Sequence, residues 1–157
     1  MGKFKVESFN LDHTTVKAPF VRLAARKEGP GGDVVTKFDI RFTQPNADFL
    51  STSEVHTLEH LAAEMLRDEL PQIIDFSPMG CRTGFYLTLF GDADEASVAP
   101  RMLAVFRKVA AWDESRPIPG SRPEECGNYR DHDVPGAKKR AAAWVNIIEK
   151  EGFECHR

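Results

Sequence analysis

Cysteine is scarce in this sequence of 157 residues, which contains only Cys81, Cys126 and Cys155 at wide and irregular spacing. An odd number of cysteines so spaced is a poor framework for disulfides and fits a reducing compartment. We therefore expect the thiols to serve metal binding or chemistry, if they have a role. Cys155 lies beside His156 near the end of the sequence, where we expect a frayed segment without a function.

The sequence also lacks a strong excess of charge and any long apolar run. Its 21 basic and 24 acidic residues give a net charge of -3, which provides no general attraction to nucleic acid or anionic lipid. No apolar run approaches the roughly 18–20 residues that cross a bilayer, and the first ten residues have no apolar core of a signal peptide. We expect a cytoplasmic protein that binds neither nucleic acid nor membranes.

The remaining composition is that of a globular protein. Hydrophobic residues make up 41% and charged residues 29%, and prolines and glycines are spread along the chain. A chain of this length buries enough surface to form a core without disulfides. We found no internal repeat, so residues 1–157 are predicted to form one domain.

Periodic patterns predict four strands and three helices. The strands are expected at residues 20–27, 34–42, 72–77 and 84–91, and the helices at 51–70, 92–112 and 136–151. Ser51 and Glu54 form a capping box at the start of the first helix. Because the strands are mostly neighbours without intervening helices, we expect an α+β fold with a mainly antiparallel four-stranded sheet packed against helices.

The second predicted strand has two different faces. Thr36, Phe38 and Ile40 alternate onto a mainly apolar face, whereas Asp39 and Arg41 fall on the other. We expect polar functional groups to project from this second face.

Two histidines and a glutamate share one side of the first predicted helix. His56 and His60 are four residues apart, so their Cβ atoms lie about 5–6 Å apart on a helix and both imidazoles can reach one ion. Glu59 lies on the same side, where it can carry protons beside the ion. A chance pair of solvated histidines is the alternative, but the chain has only five histidines and the apolar stripe faces elsewhere. We favour a metal site.

A third ligand and a second reactive group are expected from cysteine. Cys126 precedes Gly127, which permits a close backbone approach, and thiolates are good ligands for borderline divalent ions. Three protein ligands leave one coordination position open, as in catalytic sites. Cys81 lies in a turn beside Arg82, and either Arg82 or a nearby metal ion would favour a thiolate. A buried, inert thiol is the alternative for each cysteine, and for Cys81 the two interpretations are equally supported.

Several separate motifs resemble the S-ribosylhomocysteine lyase (LuxS) family, which makes the autoinducer-2 precursor. The matching segments are ESFNLDHT (7–14), KFDIRFTQPN (37–46), HTLEH (56–60), IIDFSPMGCRTGFYL (73–87) and Cys126-Gly127. The resemblance fades after about residue 132. The sequence departs from the family pattern at Thr43, where a cysteine is common, and in the loop from Gly120 to Tyr129.

The resemblance implies a small α+β homodimer with active sites at the subunit interface. Each site would hold one divalent ion on His56, His60 and Cys126 plus a water, natively iron(II), with zinc able to occupy the same place. Glu59 and Cys81 match the general acid/base residues. Ser8, His13 and Arg41 match groups that contact the ribose, and Asp75 matches a group near the homocysteine ammonium. Lys37 and Arg67 also match substrate-binding positions, with less defined roles.

The implied reaction converts S-ribosylhomocysteine into homocysteine and 4,5-dihydroxy-2,3-pentanedione. The carbonyl migrates along the ribose through enediolates, and a β-elimination then expels the thiol. Cys81 suits proton transfer at carbon, and Glu59 suits hydroxyl protons and the elimination.

Three other functions share parts of this pattern. H-x-x-E-H is also a metallopeptidase motif, in which Glu124 or Glu125 could be the third ligand. A non-enzymatic structural metal domain would need a fourth protein ligand, for which His132 is the candidate. A cysteine hydrolase would use Cys81 as nucleophile and His13 as base.

Overall fold

The computed structural model describes residues 3–156 of the chain. In this range four strands form one antiparallel sheet with the order β1-β2-β4-β3. They are Phe20–Glu28 (β1), Val34–Arg41 (β2), Ile73–Pro78 (β3) and Gly84–Phe90 (β4). The predicted α+β class and antiparallel sheet are therefore confirmed.

Three α-helices accompany the sheet in the described residues, Thr52–Glu69 (α1), Glu95–Ala110 (α2) and Val134–Glu151 (α3). The predicted capping box of α1 is present, since the Ser51 side chain accepts from the Glu54 backbone and the Glu54 carboxylate accepts from the Ser51 backbone. Asp94 and Asp133 cap the other two helices, so both begin at a different residue from the one predicted.

The helices pack on one face of the sheet and enclose the main core. Leu58, Leu61 and Leu66 of α1 are fully buried, as are Phe38 of β2 and Leu87 of β4. Their burial fixes α1 against the sheet and leaves the His56 side of this helix partly exposed. The sheet thus provides a rigid support for one side of the candidate site.

The second face of β2 differs from our expectation at its carboxyl end. Asp39 and Arg41 are 0% and 1% exposed, so these polar groups do not project into solvent. The side chains of Leu11, Val16 and Phe20 form a separate buried cluster, and the Arg41 guanidinium lies 5.6 Å from the Phe20 ring centroid. Strand alternation predicts the face of a side chain but not what covers that face.

Residues 153–156 are held to the body by hydrogen bonds, although we had expected a frayed segment here. Lys17 donates a backbone hydrogen bond to the His156 carbonyl, and Val21 donates one to the Phe153 carbonyl. Cys155 packs against the cluster of Leu11, Val16 and Phe20. In residues 3–156, none of the helices is both long and apolar enough to span a membrane.

Candidate metal centre and active site

The helix α1 presents His56 and His60 on one side, and the loop between α2 and α3 brings Cys126 to them. The two imidazole centroids are 4.5 Å apart, and one donor atom from each of the three residues lies within 4.8 Å of the others. The Cys126 Sγ is 3.2 Å from Nε2 of His56. The predicted convergence of these three residues is thus present in the structure.

Hydrogen bonds to the main chain fix the tautomers of both histidines. Nδ1 of His56 lies 2.8 Å from the Asp131 carbonyl oxygen, and Nδ1 of His60 lies 2.7 Å from that of Pro119. A carbonyl oxygen only accepts, so each Nδ1 carries a proton and each neutral ring keeps its lone pair on Nε2. Two such imidazoles and one thiolate are a donor set that fits a divalent ion, and carbonyl partners at Nδ1 are typical of metal-binding histidines.

Gly120 has a role in this centre that we did not predict. Its φ is +67°, and a Cβ at this position would lie 3.3 Å from Nδ1 of His60. A side chain would therefore be strained and would crowd the ring that the preceding carbonyl orients. The Pro119-Gly120 dipeptide is a turn signal in the sequence, but it does not reveal the histidine beside it.

His132 lies against the candidate ligands without joining them. Its ring stacks on His56 with centroids 4.2 Å apart, and its Nδ1 is 3.2 Å from the Thr57 hydroxyl. Burial lowers the pKa of His132, and the neighbouring His56 and His60 add to the effect, so the neutral ring is favoured. Its Nε2 is buried and has no hydrogen-bond partner in the described part of the chain.

The Thr57 hydroxyl connects α1 to the loop that carries Cys126. It donates to the Ser53 carbonyl at 2.8 Å and accepts from the Asp133 backbone at 2.9 Å, so His132 Nδ1 must donate to its second lone pair. Ser53 also donates to the Asp131 carboxylate at 2.6 Å. These bonds hold the loop at the distance that the three candidate ligands require.

Glu59 and Arg67 line a cavity of about 190 Å³ beside the metal centre. His60 and Gly120 also contribute to its wall, so Glu59 shares a solvent space with one candidate ligand. Arg67 donates from its guanidinium to the Ala63 carbonyl and is exposed. This placement suits both residues for contact with a small molecule at the centre.

Cys81 occupies the turn between β3 and β4. Its Sγ is 3.1 Å from the Thr83 hydroxyl, and the residue is exposed. Arg82, which we expected to favour a thiolate, instead lies over the Phe49 ring at 4.7 Å. No hydrogen bond or ion pair within residues 3–156 connects Cys81 to the three candidate ligands.

Arg41 is held from two sides. Its guanidinium donates to both carboxylate oxygens of Asp39, at 3.1 and 2.6 Å, and to the Thr83 hydroxyl at 2.5 Å. The side chain therefore approaches Cys81 through Thr83. It presents almost no surface of its own in this single chain.

In residues 3–156, no hydrogen bond or ion pair joins the other expected substrate-binding residues to one another. Lys37 places Nζ 3.9 Å from the Tyr86 ring centroid and lines a cavity of about 470 Å³ on the outer face of the sheet. Asp75 is exposed and accepts from the Ser77 hydroxyl at 2.7 Å. Ser8 lies in the short helix Glu7–Asn10, and His13 contacts the Leu11 carbonyl at 2.8 Å.

The three alternative functions lack support in the described residues. The donor group there has three members, which include neither Glu124, Glu125 nor His132. Glu125 is instead paired with Arg122. His13 and Cys81 have separate hydrogen-bond partners, so a nucleophile–base pair is not formed.

Sequence comparisons identify relatives along nearly the whole chain. A sequence model described as S-ribosylhomocysteinase (LuxS) matches residues 6–153. An S-ribosylhomocysteine lyase of Clostridioides difficile is 54% identical over 152 residues, which cover 97% of this chain and 96% of the relative. Lyases of the same name from Thermus thermophilus and Deinococcus radiodurans are 53% and 51% identical, over 95% and 87% of this chain and 92% and 85% of each relative.

Proposed function

Because the chain belongs to the S-ribosylhomocysteinase (LuxS) family, we propose that it cleaves S-ribosylhomocysteine to homocysteine and 4,5-dihydroxy-2,3-pentanedione. The observation that carries this proposal is the convergence of His56, His60 and Cys126, with their donor atoms within 4.8 Å of one another. Three protein donors leave a coordination position for substrate, which a closed structural site does not offer.

One divalent ion per subunit would be held by His56, His60 and Cys126. When bound, it supplies Lewis-acid chemistry toward a substrate carbonyl or hydroxyl oxygen. The mixed imidazole and thiolate donor set suits borderline ions. We expect iron(II) in the native protein, with zinc able to occupy the same place.

Glu59 and Cys81 carry the protons. Cys81 in its thiolate form takes a proton from one ribose carbon and returns it to the next, so the carbonyl moves from the first to the second and then the third carbon. Glu59 moves hydroxyl protons and assists the final β-elimination, in which the carbon–sulfur bond breaks and homocysteine leaves. Its position in the cavity beside His60 supports this role.

The substrate is bound by residues that no hydrogen bond or ion pair joins within residues 3–156 of the single chain. Ser8, His13 and Arg41 serve the ribose, Asp75 the homocysteine ammonium, and Lys37 and Arg67 further polar contacts. These residues complete the site in a homodimer with its active sites at the interface. Phe9 and Phe90 are 63% and 57% exposed in one chain, and a partner subunit would cover such apolar surface.

The activity is tested by incubating the metal-loaded protein with S-ribosylhomocysteine and measuring new thiol with a chromogenic disulfide. We expect thiol release that depends on protein and substrate, together with a dicarbonyl product of equal amount. Release of thiol without the dicarbonyl would exclude this reaction. Hydrolysis of casein in its place would support the metallopeptidase function.

The interfacial site is tested by mixing two inactive variants, His13→Ala and Cys81→Ala. If the two residues reach one site from different subunits, mixed dimers contain one intact site and part of the activity returns. No recovery after proven subunit exchange would place both residues in the same subunit. Light scattering of the wild-type protein gives the subunit number independently.

A further inference from the structure

Thr83 lies between the buried Arg41 and the exposed Cys81. Its hydroxyl oxygen is 2.5 Å from Nη1 of Arg41 and 3.1 Å from Sγ of Cys81. Thr83 is 6% exposed, so solvent has little access to this hydroxyl. Its carbonyl oxygen accepts from the backbones of Phe42 and Thr43, which fixes the residue to the end of β2.

Counting donors determines the direction of the Arg41–Thr83 hydrogen bond and, for an ionised sulfur, that of the Thr83–Cys81 hydrogen bond. A guanidinium can only donate, so the Thr83 oxygen accepts from Arg41 and its single hydroxyl proton is free for another partner. A Cys81 thiol could donate or accept across the 3.1 Å contact, whereas a thiolate can only accept. The arrangement therefore provides a donor that points to the sulfur whenever the sulfur is ionised.

Both arginines near the Cys81 turn are engaged by other groups. Asp39 is 0% exposed and takes two guanidinium nitrogens, so its carboxylate offsets most of the Arg41 charge. Arg82 is turned to Phe49. Within residues 3–156, the Thr83 hydroxyl is the side-chain hydrogen-bond partner of the Cys81 sulfur, and a hydrogen bond to a charged acceptor is among the stronger kinds.

We propose that Thr83 is a positioning residue that donates a hydrogen bond to the Cys81 sulfur and holds it as an oriented thiolate, with Arg41 orienting the hydroxyl. This role rests on the proposed function of Cys81 as the base at carbon. When the sulfur takes the proton, the carbon–hydrogen bond breaks, its electron pair stays on the substrate, and a sulfur–hydrogen bond forms. The hydroxyl remains beside the thiol and favours its return to the ionised form.

The test compares Thr83→Val, which keeps the shape without the hydroxyl, with Thr83→Ser, which keeps the hydroxyl. Zinc-loaded proteins are alkylated with iodoacetamide across a range of pH, and the modified Cys81 peptide is quantified by mass spectrometry. We expect Thr83→Val to slow alkylation at pH 7 by about tenfold or more and to move the profile to higher pH. Thr83→Ser should restore the rate to within about twofold of wild type, because the donor remains.

An unchanged alkylation rate in Thr83→Val, or equal slowing in both variants, would overturn the proposal. Because the valine leaves a buried guanidinium nitrogen unpaired, it could fail to fold, so a second measurement uses the wild-type protein. In the infrared difference between wild type and Cys81→Ala, the sulfhydryl band of Cys81 should be weaker at pH 7 than at pH 5. A band of equal intensity at the two pH values would also overturn the proposal.

The measurement of Cys81 alkylation does not depend on lyase turnover. If wild-type protein released no thiol from S-ribosylhomocysteine, the proposed function would fail, yet the effect of Thr83 on the sulfur would still be measured. If turnover were present and Thr83→Val alkylated normally, only the role of Thr83 would fail. Zinc content should be equal in all variants, which separates this effect from damage to the metal centre.

Discussion

The Sγ atom of Cys126 lies 3.2 Å from Nε2 of His56, although 70 positions separate the two residues in the sequence. Both atoms carry lone pairs that suit a cation, because Nδ1 of His56 is committed to the Asp131 carbonyl. The contact therefore joins a donor on α1 to a donor on the loop between α2 and α3. Either residue alone would be a poor site, and their approach makes the loop part of the centre.

We predict that Cys126→Ala loses both metal and activity, whereas Cys81→Ala keeps the metal and loses turnover. The first change removes one of three candidate donors, and the second removes the proposed proton carrier, which has no hydrogen bond to the donor group in residues 3–156. Metal analysis of the purified variants, together with thiol release from substrate, measures both effects. Equal metal content in the two variants would refute the assignment.

The Thr57 hydroxyl is predicted to matter for both stability and metal affinity. Thr57→Val leaves the Asp133 backbone donor and Nδ1 of His132 without their partner. We expect a loss of about 1–3 kcal/mol in the free energy of unfolding, and zinc affinity weakened by about tenfold or more. Urea unfolding and competition with a chromogenic chelator measure the two quantities.

Thr57→Ser is the matched control because it keeps the hydroxyl and removes one methyl group. It should cost about 1 kcal/mol and leave zinc affinity near that of wild type. If serine and valine weakened zinc binding equally, packing of the methyl group would be the cause. The hydrogen bonds from Thr57 to the loop would then have no part in ligand placement.

Local features of the site were predictable because they depend on residues close in sequence. The capping box of Ser51 and Glu54 sets the start of α1, and the helical repeat then places His56 and His60 on one side. These patterns need no knowledge of the remaining chain. They gave the element types and most boundaries to within a few residues.

Long-range contacts were not predictable in the same way. Arg41 is buried and lies over the ring of Phe20 at the start of β1, and no pattern within β2 indicates this contact. Arg82 has a positive φ of 60° in the five-residue connection from β3 to β4, and it lies over the ring of Phe49. The role of Thr83 emerges only when hydrogen-bond donors are counted in three dimensions.

The buried pair of Arg41 and Asp39 is predicted to be important for stability as well as for substrate handling. Arg41→Ala leaves the Asp39 carboxylate buried with only Arg22, at 3.4 Å, as a counterion. We expect a loss of about 3 kcal/mol in the free energy of unfolding, the low end for a broken buried pair because Arg22 remains. Urea unfolding measures the loss, and steady-state kinetics on the folded fraction measure substrate handling.

The double variant Asp39→Asn/Arg41→Met separates charge burial from lost packing. Because it removes both charges, it should be more stable than Arg41→Ala alone. A double variant as unstable as Arg41→Ala would show that the unpaired carboxylate is not the cause. Unchanged kinetics in a folded Arg41→Ala would remove Arg41 from the active site.

Arg140 of α3 contacts one carboxylate in α1 and one in the segment before α1. We predict that these contacts make the free energy of unfolding depend on pH. Its guanidinium donates to Asp48 at 2.7 Å and to Glu54 at 3.0 Å. Burial raises the pKa of Glu54, but hydrogen bonds from the Ser51 backbone and Arg140 outweigh it and hold the pKa below its usual 4.5. The hydrogen bond from Arg140 likewise lowers the pKa of Asp48 from its usual 3.8.

Both carboxyl groups bind protons more readily in the unfolded chain than in the folded protein. Their contribution is therefore fully present above their ordinary pKa values and is lost as the pH falls through the lower folded values. We expect the free energy of unfolding to decline below about pH 5. In Arg140→Gln it should decline less steeply, because the folded and unfolded pKa values of Asp48 and Glu54 lie closer together in that variant. Lys139→Gln, which removes the same charge from an exposed neighbour, should keep the wild-type slope. Urea unfolding at a series of acidic pH values measures these slopes, and the contribution of metal release cancels between the variants. Parallel curves for the two variants would show that Arg140 does not maintain the depressed pKa values.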